Sequence, residues 1–220
     1  MTPFISVSGV AAPLPRSDVD TDAVIPVPWM KAIAPDYARA LFANWRWQDG
    51  DGITERPEFI LNQVPFREAK ILVAGSNFGC GSSREAAVWA LLGFGIRCVI
   101  APSFGDIFYD NAYKNGLLPL VMPEIQVNAL LVSLAARNGD ARMTVDLESQ
   151  SVTAPDGSLI AFAIDPSRRK ALLGGLDEIG MTLTHAEAIL AFQARDRLLR
   201  PWIYDPPLDR PIADTGVHHP

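Results

Sequence analysis

The chain has 220 residues, with 19 Lys plus Arg against 25 Asp plus Glu, 49% hydrophobic residues and 2 cysteines. That length can bury a core in one large domain, or one domain with an appendage. A net charge of -6 argues against a nucleic-acid partner, 9% aromatics argue against a disordered chain, and Cys80 with Cys98 are too few for a disulfide framework or for the roughly four thiolates of an iron–sulfur cluster.

At the N-terminus, the apolar stretch 4–14 lacks the basic start of a secretory signal and is interrupted by Ser6, Ser8, Gly9 and Pro13, so it is read as mature protein. No run reaches the ~20 apolar residues that span a bilayer, so the chain is expected to be soluble, with no membrane partner and a cytoplasmic, reducing location. Pro26, Pro28 and Pro35, followed by the aromatic cluster FANWRW at 42–47, suggest a long structured loop and a helix covering one sheet edge. Residues 70–74 (KILVA) read as a buried strand entering a glycine-rich turn at 75–81. From Ser82 the pattern is helical, stopped by Gly93 and Gly95.

Residues 97–101 (RCVIA) are the next strand, 106–115 a helix ended by Gly116, LLPLVM a third strand and 124–137 a long amphipathic helix. This alternation predicts a layered α/β architecture around a largely parallel sheet. After Asn138 the pattern changes to short β-like runs, RMTVDL, QSVTA and SLIAFAI, the last two joined at Asp156-Gly157 as a hairpin. Helices are expected at about 167–173 and 184–200, and the proline-rich residues 201–220 read as an extended or mobile tail.

The segment 75–85 reads GSNFGCGSSRE. Its glycines permit close backbone approach, and the helix behind it offers unpaired N–H groups and partial positive charge, the makings of an anion site. Ser82 and Glu85 also fit an S-x-x-E capping box, which accounts for that pair without any ligand. It leaves Arg84 unexplained, since a cation in the first helical turn is disfavoured by ~0.3–1 kcal/mol unless an anion faces it. The spacing matches neither a Walker A loop nor a dinucleotide fingerprint, so a carboxylate, matched by the Arg84 fork and the Ser82 and Ser83 hydroxyls, is the favoured anion. A serine beside a cation at a helix start is also where an alkoxide costs least, although no histidine is placed to activate it: His185 reads as a surface or capping residue, and His218 and His219 lie in the tail. Asp18, Asp20 and Asp22 sit in a polar stretch suited to turns and caps. Cys80, Cys98 and the tryptophans at 45 and 47 are given structural readings. With so many glycines, the loop is expected to make few contacts before a ligand and partner arrive.

The segments GSNFGCGSSREAAVWAL and APSFGDIFYDNAYKNGLLPL, with DVDTDAVIP and LFANWRW upstream and GLDEIGMTLTH downstream, resemble the small subunits of 3-isopropylmalate dehydratase, the swivel-domain members of the aconitase superfamily. The resemblance runs to about residue 195. It implies an α/β fold, a single swivelling β/β/α-type domain over 1–200 with a helical C-terminal extension. It also implies a two-chain hydro-lyase that interconverts 2-isopropylmalate and 3-isopropylmalate by dehydration and rehydration in leucine biosynthesis.

A large subunit is the implied partner, holding a [4Fe-4S] cluster whose open iron binds the substrate hydroxyl and carboxylate, while this chain binds no cofactor or metal. Carried over by position, Ser82 is the base, Ser83 and Arg84 bind the carboxylate of a small dicarboxylate substrate, and Asp22 belongs to the supporting network. The chain departs from the family pattern at Ala86, where His is usual, at Val88, where Pro is common, and at Val27-Pro28. Ala86 and Val27 keep open a paralogous hydro-lyase subunit for another small 2-hydroxy diacid or unsaturated diacid, and a third reading is a non-catalytic carboxylate-binding or regulatory module that keeps the anion site without turnover.

Overall fold

The computed structural model describes residues 1–31, 33–137 and 141–204. Seven strands form one sheet in the order β4-β3-β2-β1-β5-β6-β7: β1 Ser6–Leu14, β2 Ile71–Ala74, β3 Cys98–Ala101, β4 Leu118–Val121, β5 Arg142–Asp146, β6 Ser151–Thr153 and β7 Leu159–Ala161. β1 to β4 pair in parallel, and β1, β5, β6 and β7 pair antiparallel, so the expected largely parallel sheet is mixed, with β1 belonging to both halves. Every residue of β2 and β3 is buried, as expected where a parallel sheet is covered on both faces. Full burial of side chains such as Ile71, Leu72 and Ile100 contributes about 1.5–3 kcal/mol each.

The stretch expected only to be mature N-terminus is the central strand β1. Its first half alternates between exposed and buried residues where it pairs with β5, and its second half is wholly buried. Pro13 fits because β5 pairs with Ser6 to Val10 only, so the missing N–H falls past the end of that ladder. Pro119 is likewise tolerated in β4, an edge strand.

Four short helices link β1 to β2: α1 Thr21–Val24, α2 Val27–Met30, α3 Tyr37–Ala40 and α4 Ala43–Arg46. The 42–47 cluster enters the core. Phe42 and Trp47 are buried, Phe42 stacks on Trp45 at 5.4 Å, and the buried Arg46 guanidinium donates to Asn62 Oδ1 at 3.2 Å and Ala38 O at 2.7 Å. Burial lowers the Arg46 pKa to about 10.

The remaining helices are α5 Glu85–Phe94, α6 Asp106–Asn115, α7 Glu124–Ala136, α8 Pro166–Gly174, α9 Glu178–Leu183, α10 Ala186–Leu199 and α11 Pro201–Tyr204. α5 packs on α3 and α6, and α7 packs on β1, β2 and β3. The expected hairpin forms at Asp156-Gly157, where Asp156 Oδ1 accepts from Ser158 N at 2.9 Å.

The contacts divide the chain into two units, Met1–Asp177 and the part from Glu178 onward. The sequence reading carries one domain to residue 200 instead. In the second unit, His185 is exposed at the N-cap of α10 without a side-chain capping bond. Residues 201–204 of the expected tail are helical, and residues 205–220, with His218 and His219, lie outside the described residues.

Candidate functional site

Three segments follow the carboxyl ends of β1, β2 and β3, the edge of a parallel sheet where ligands commonly bind. Residues 75–80, after β2, lie between the other two. On one side Gly75 N donates to Arg16 O at 3.0 Å, Asp18 N to Ser76 O at 2.9 Å, Gly79 N to Val19 O at 2.7 Å and Thr21 N to Cys80 O at 3.0 Å. On the other, Asn77 N donates to Ser103 Oγ at 2.8 Å, Phe78 N to Ser103 O at 3.1 Å and Gly105 N to Phe78 O at 2.9 Å. The expected sparsely held loop is therefore corrected over 75–80. The glycines serve close packing there: a Cβ on Gly79, at φ +75°, falls 2.2 Å from Phe108 Cγ.

Past this anchored stretch the chain turns outward. Ser82 and Ser83 are exposed, and among the described residues their hydroxyls have no hydrogen-bond partner. Arg84 is largely covered; Nη1 forms an ion pair with Asp22 Oδ1 and donates to Ile25 O at 3.3 Å. Asp22 is more than half exposed. The structure thus brings Asp22 to Arg84, with Ser82 and Ser83 two residues and one residue before it.

The three acidic residues of the 18–22 stretch divide their duties. Asp20 caps α1, its Oδ1 accepting from Ala23 N at 2.7 Å. Asp18 Oδ1 accepts from Asn77 Nδ2 at 2.7 Å. Asp22 holds Arg84, so the capping role belongs to its neighbour.

The capping box is corrected. α5 starts at Glu85, three residues later than expected, with Arg84 at the N-cap and no side chain capping it. Glu85 Oε1 instead accepts from Asn115 Nδ2 at 2.8 Å, and Asn115 Oδ1 accepts from Trp89 Nε1 at 3.0 Å. An uncapped helix start leaves first-turn N–H groups and partial positive charge directed at an incoming anion. The cost of a guanidinium there is offset by Asp22.

Of the departures from the family pattern, Val88 is fully buried in the core and Ala86 is half-buried against it. Val27 opens α2 after Pro26, and Pro28 fits the second helical position. The residue that sequence reasoning missed is Thr21. It is buried, and Oγ1 donates to Ser82 O at 2.8 Å across 61 residues. A partner that distant leaves no local pattern.

Cys98 is fully buried in β3 and Cys80 half-buried in the loop. Among the described residues, no three His, Cys, Asp or Glu side chains converge as a group that could hold a metal ion. Burial, then the negative charges of Asp20 and Asp18, raise the Cys80 thiol pKa, opposite to the effect of a helix start. Burial raises that of Cys98 as well. At pH 7 iodoacetamide is expected to modify Cys80 more slowly than a small free thiol, faster as pH rises, and Cys98 only on unfolding; rapid modification of both at neutral pH would contradict this burial.

Residues 1–125 match the family model described as the Aconitase C-terminal domain, 129–166 match LeuD_N, and 178–205 match the model of the C-terminal domain of the 3-isopropylmalate dehydratase small subunit. The chain is 52% identical over 204 residues to the 3-isopropylmalate dehydratase small subunit of Jannaschia sp. (strain CCS1), covering 92% of this chain and 100% of that one. It is 50% identical, with the same coverage, to the protein of that name from Roseobacter denitrificans. A crystal structure of 3-isopropylmalate dehydratase from Methanocaldococcus jannaschii is similar at 29% identity and a TM-score of 0.60, covering 86% of this chain and 99% of that one.

Proposed function

This chain belongs to the 3-isopropylmalate dehydratase small-subunit family, and on that premise we propose that it is half of a hydro-lyase that interconverts 2-isopropylmalate and 3-isopropylmalate in leucine biosynthesis. The observation that carries the reading is the exposed Ser82-Ser83 pair at the uncapped start of α5, beside an Arg84 held by Asp22. Abstracting a proton next to a carboxylate adds charge to a group already anionic, so the transition state needs preorganised positive groups. The helix start contributes only ~1 kcal/mol. Arg84 presents a planar fork to a carboxylate, and the Ser83 hydroxyl adds a donor.

Ser82, as the alkoxide, takes the carbon-bound proton onto Oγ while the C–H electron pair becomes the C=C bond and the substrate hydroxyl departs from the adjacent carbon as hydroxide; by microscopic reversibility the Ser82 hydroxyl returns a proton to carbon as hydroxide adds during rehydration. The metal chemistry that the family implies, polarisation of the substrate hydroxyl and carboxylate by an open iron, is assigned to a large iron–sulfur subunit. No helix among the described residues is long and apolar enough to cross a membrane, and both cysteines are free, which supports a cytoplasmic setting.

The test is a diacid panel. The chain is combined with its iron–sulfur partner and offered both isopropylmalates, citraconate and citrate, with the unsaturated intermediate followed spectroscopically. Highest kcat/KM is expected for the isopropylmalates. Preference for a diacid without the isopropyl group would sink the leucine-pathway assignment and leave the paralogous hydro-lyase.

A further inference from the structure

No hydrogen bond among the described residues holds the Ser82 hydroxyl, so what the fold fixes is the place of the backbone and of the Cα–Cβ bond from which Oγ swings. That backbone is fixed on both sides of Gly81, which adopts φ +84°, by one residue. Thr21 N donates to Cys80 O at 3.0 Å, and Thr21 Oγ1 donates to Ser82 O at 2.8 Å. Thr21 is only 2% exposed. A β-branched side chain is stiff about χ1, so its hydroxyl is a firm anchor. Thr21 is the first residue of α1, whose N-cap function is already filled by Asp20. Its hydroxyl is thus free of local capping and bonds a residue 61 positions along the chain. The next residue, Asp22, pairs with Arg84.

We propose that Thr21 is a positioning residue for the reaction: by holding the Ser82 carbonyl, it aims the Ser82 Oγ at the carbon-bound proton, while Asp22 separately sets the carboxylate clamp. The inference rests on the reading of Ser82 as the base. It assigns the two neighbours different kinetic duties, since misplacing a reacting atom slows chemistry whereas loosening the clamp weakens binding.

The test uses the reconstituted two-chain enzyme with 3-isopropylmalate. Thr21→Val keeps the shape and removes the hydroxyl. Its kcat is expected to fall about 10- to 100-fold, the scale of a misplaced reacting group, with KM within about two-fold of wild type. Thr21→Ser restores the donor and is expected to recover kcat to within about three-fold. If Thr21→Val does not assemble with the partner, Thr21→Ala and Thr21→Ser make the same comparison.

Three outcomes would overturn the proposal. An unchanged kcat in the variants lacking the hydroxyl, with Ser82→Ala inactive, removes Thr21 but leaves Ser82 as the base. A fall in kcat that Ser does not rescue, or a KM that rises by as large a factor, makes Thr21 a general fold contact. Near-wild-type turnover by Ser82→Ala removes the premise itself.

Discussion

Replacing Ser82 with Ala is expected to lower kcat of the reconstituted enzyme by about 10²- to 10⁴-fold, the usual contribution of a positioned general base. Fold and assembly should survive. Ser82 is exposed, its hydroxyl has no partner among the described residues, and its carbonyl bond from Thr21 is a backbone contact that alanine retains. Loss of one exposed hydroxyl with no partner costs well under 1 kcal/mol of stability, within the range of ordinary surface substitutions. Circular dichroism, co-elution with the large subunit and steady-state rates therefore separate chemistry from structure. Turnover within a few-fold of wild type would rule out Ser82 as the base. An inactive variant that still binds a diacid would leave Arg84 and Ser83 as the surviving clamp.

Gly79→Ala should have the largest effect on stability. Two costs combine: a left-handed backbone adds about 1–2 kcal/mol for an L side chain, and forced overpacking adds about 1–3 kcal/mol. The overpacking is specific, because the new Cβ meets the Phe108 ring at Cγ, Cβ and Cδ1. Phe108 cannot yield cheaply. It is buried, packs edge-on to Phe78 at 5.3 Å and stacks on Phe104 at 6.2 Å. Gly157→Ala provides the control, since Gly157 has φ +84° but nothing within 4 Å of the added Cβ. Urea unfolding should show about 2–5 kcal/mol lost for Gly79→Ala and about 1–2 for Gly157→Ala. Equal losses would mean that the Phe108 contact contributes nothing.

The alternating part of the fold was legible because its signals are local. β2, α5, β3, α6, β4 and α7 announce themselves by apolar runs and helical periodicity, interrupted by Gly81, Gly95 and Gly116. β1 hid because its signal depends on neighbours. Ser6, Ser8 and Gly9 look like interruptions until β5 is placed beside them, and Pro13 looks like a breaker until β5 is seen to stop short of it. The α5 start was misplaced for a related reason: the S-x-x-E pattern is a local competitor that lost to two distant contacts, Thr21 on Ser82 and Asn115 on Glu85. In the site, the type and order of Ser82, Ser83 and Arg84 pointed to an anion, and the resemblance supplied Asp22. That Asp22 meets Arg84 while Asp20 makes the cap could not be read from spacing, because the 61 residues of intervening chain must fold before the two meet.

The Arg84–Asp22 pair also bears on how an anion is met in the first place. A guanidinium already matched by a carboxylate projects little field into solvent, and the chain around it carries a net charge of -6. Long-range steering, which can raise association rates by roughly 10- to 10³-fold, is therefore not supplied by this cation. On the proposed reading its attraction acts at contact, once a carboxylate is close enough to share the guanidinium with Asp22. On the proposed reading, a dicarboxylate is expected to gain its hold only when a second attachment point, on the partner subunit, is present at the same moment.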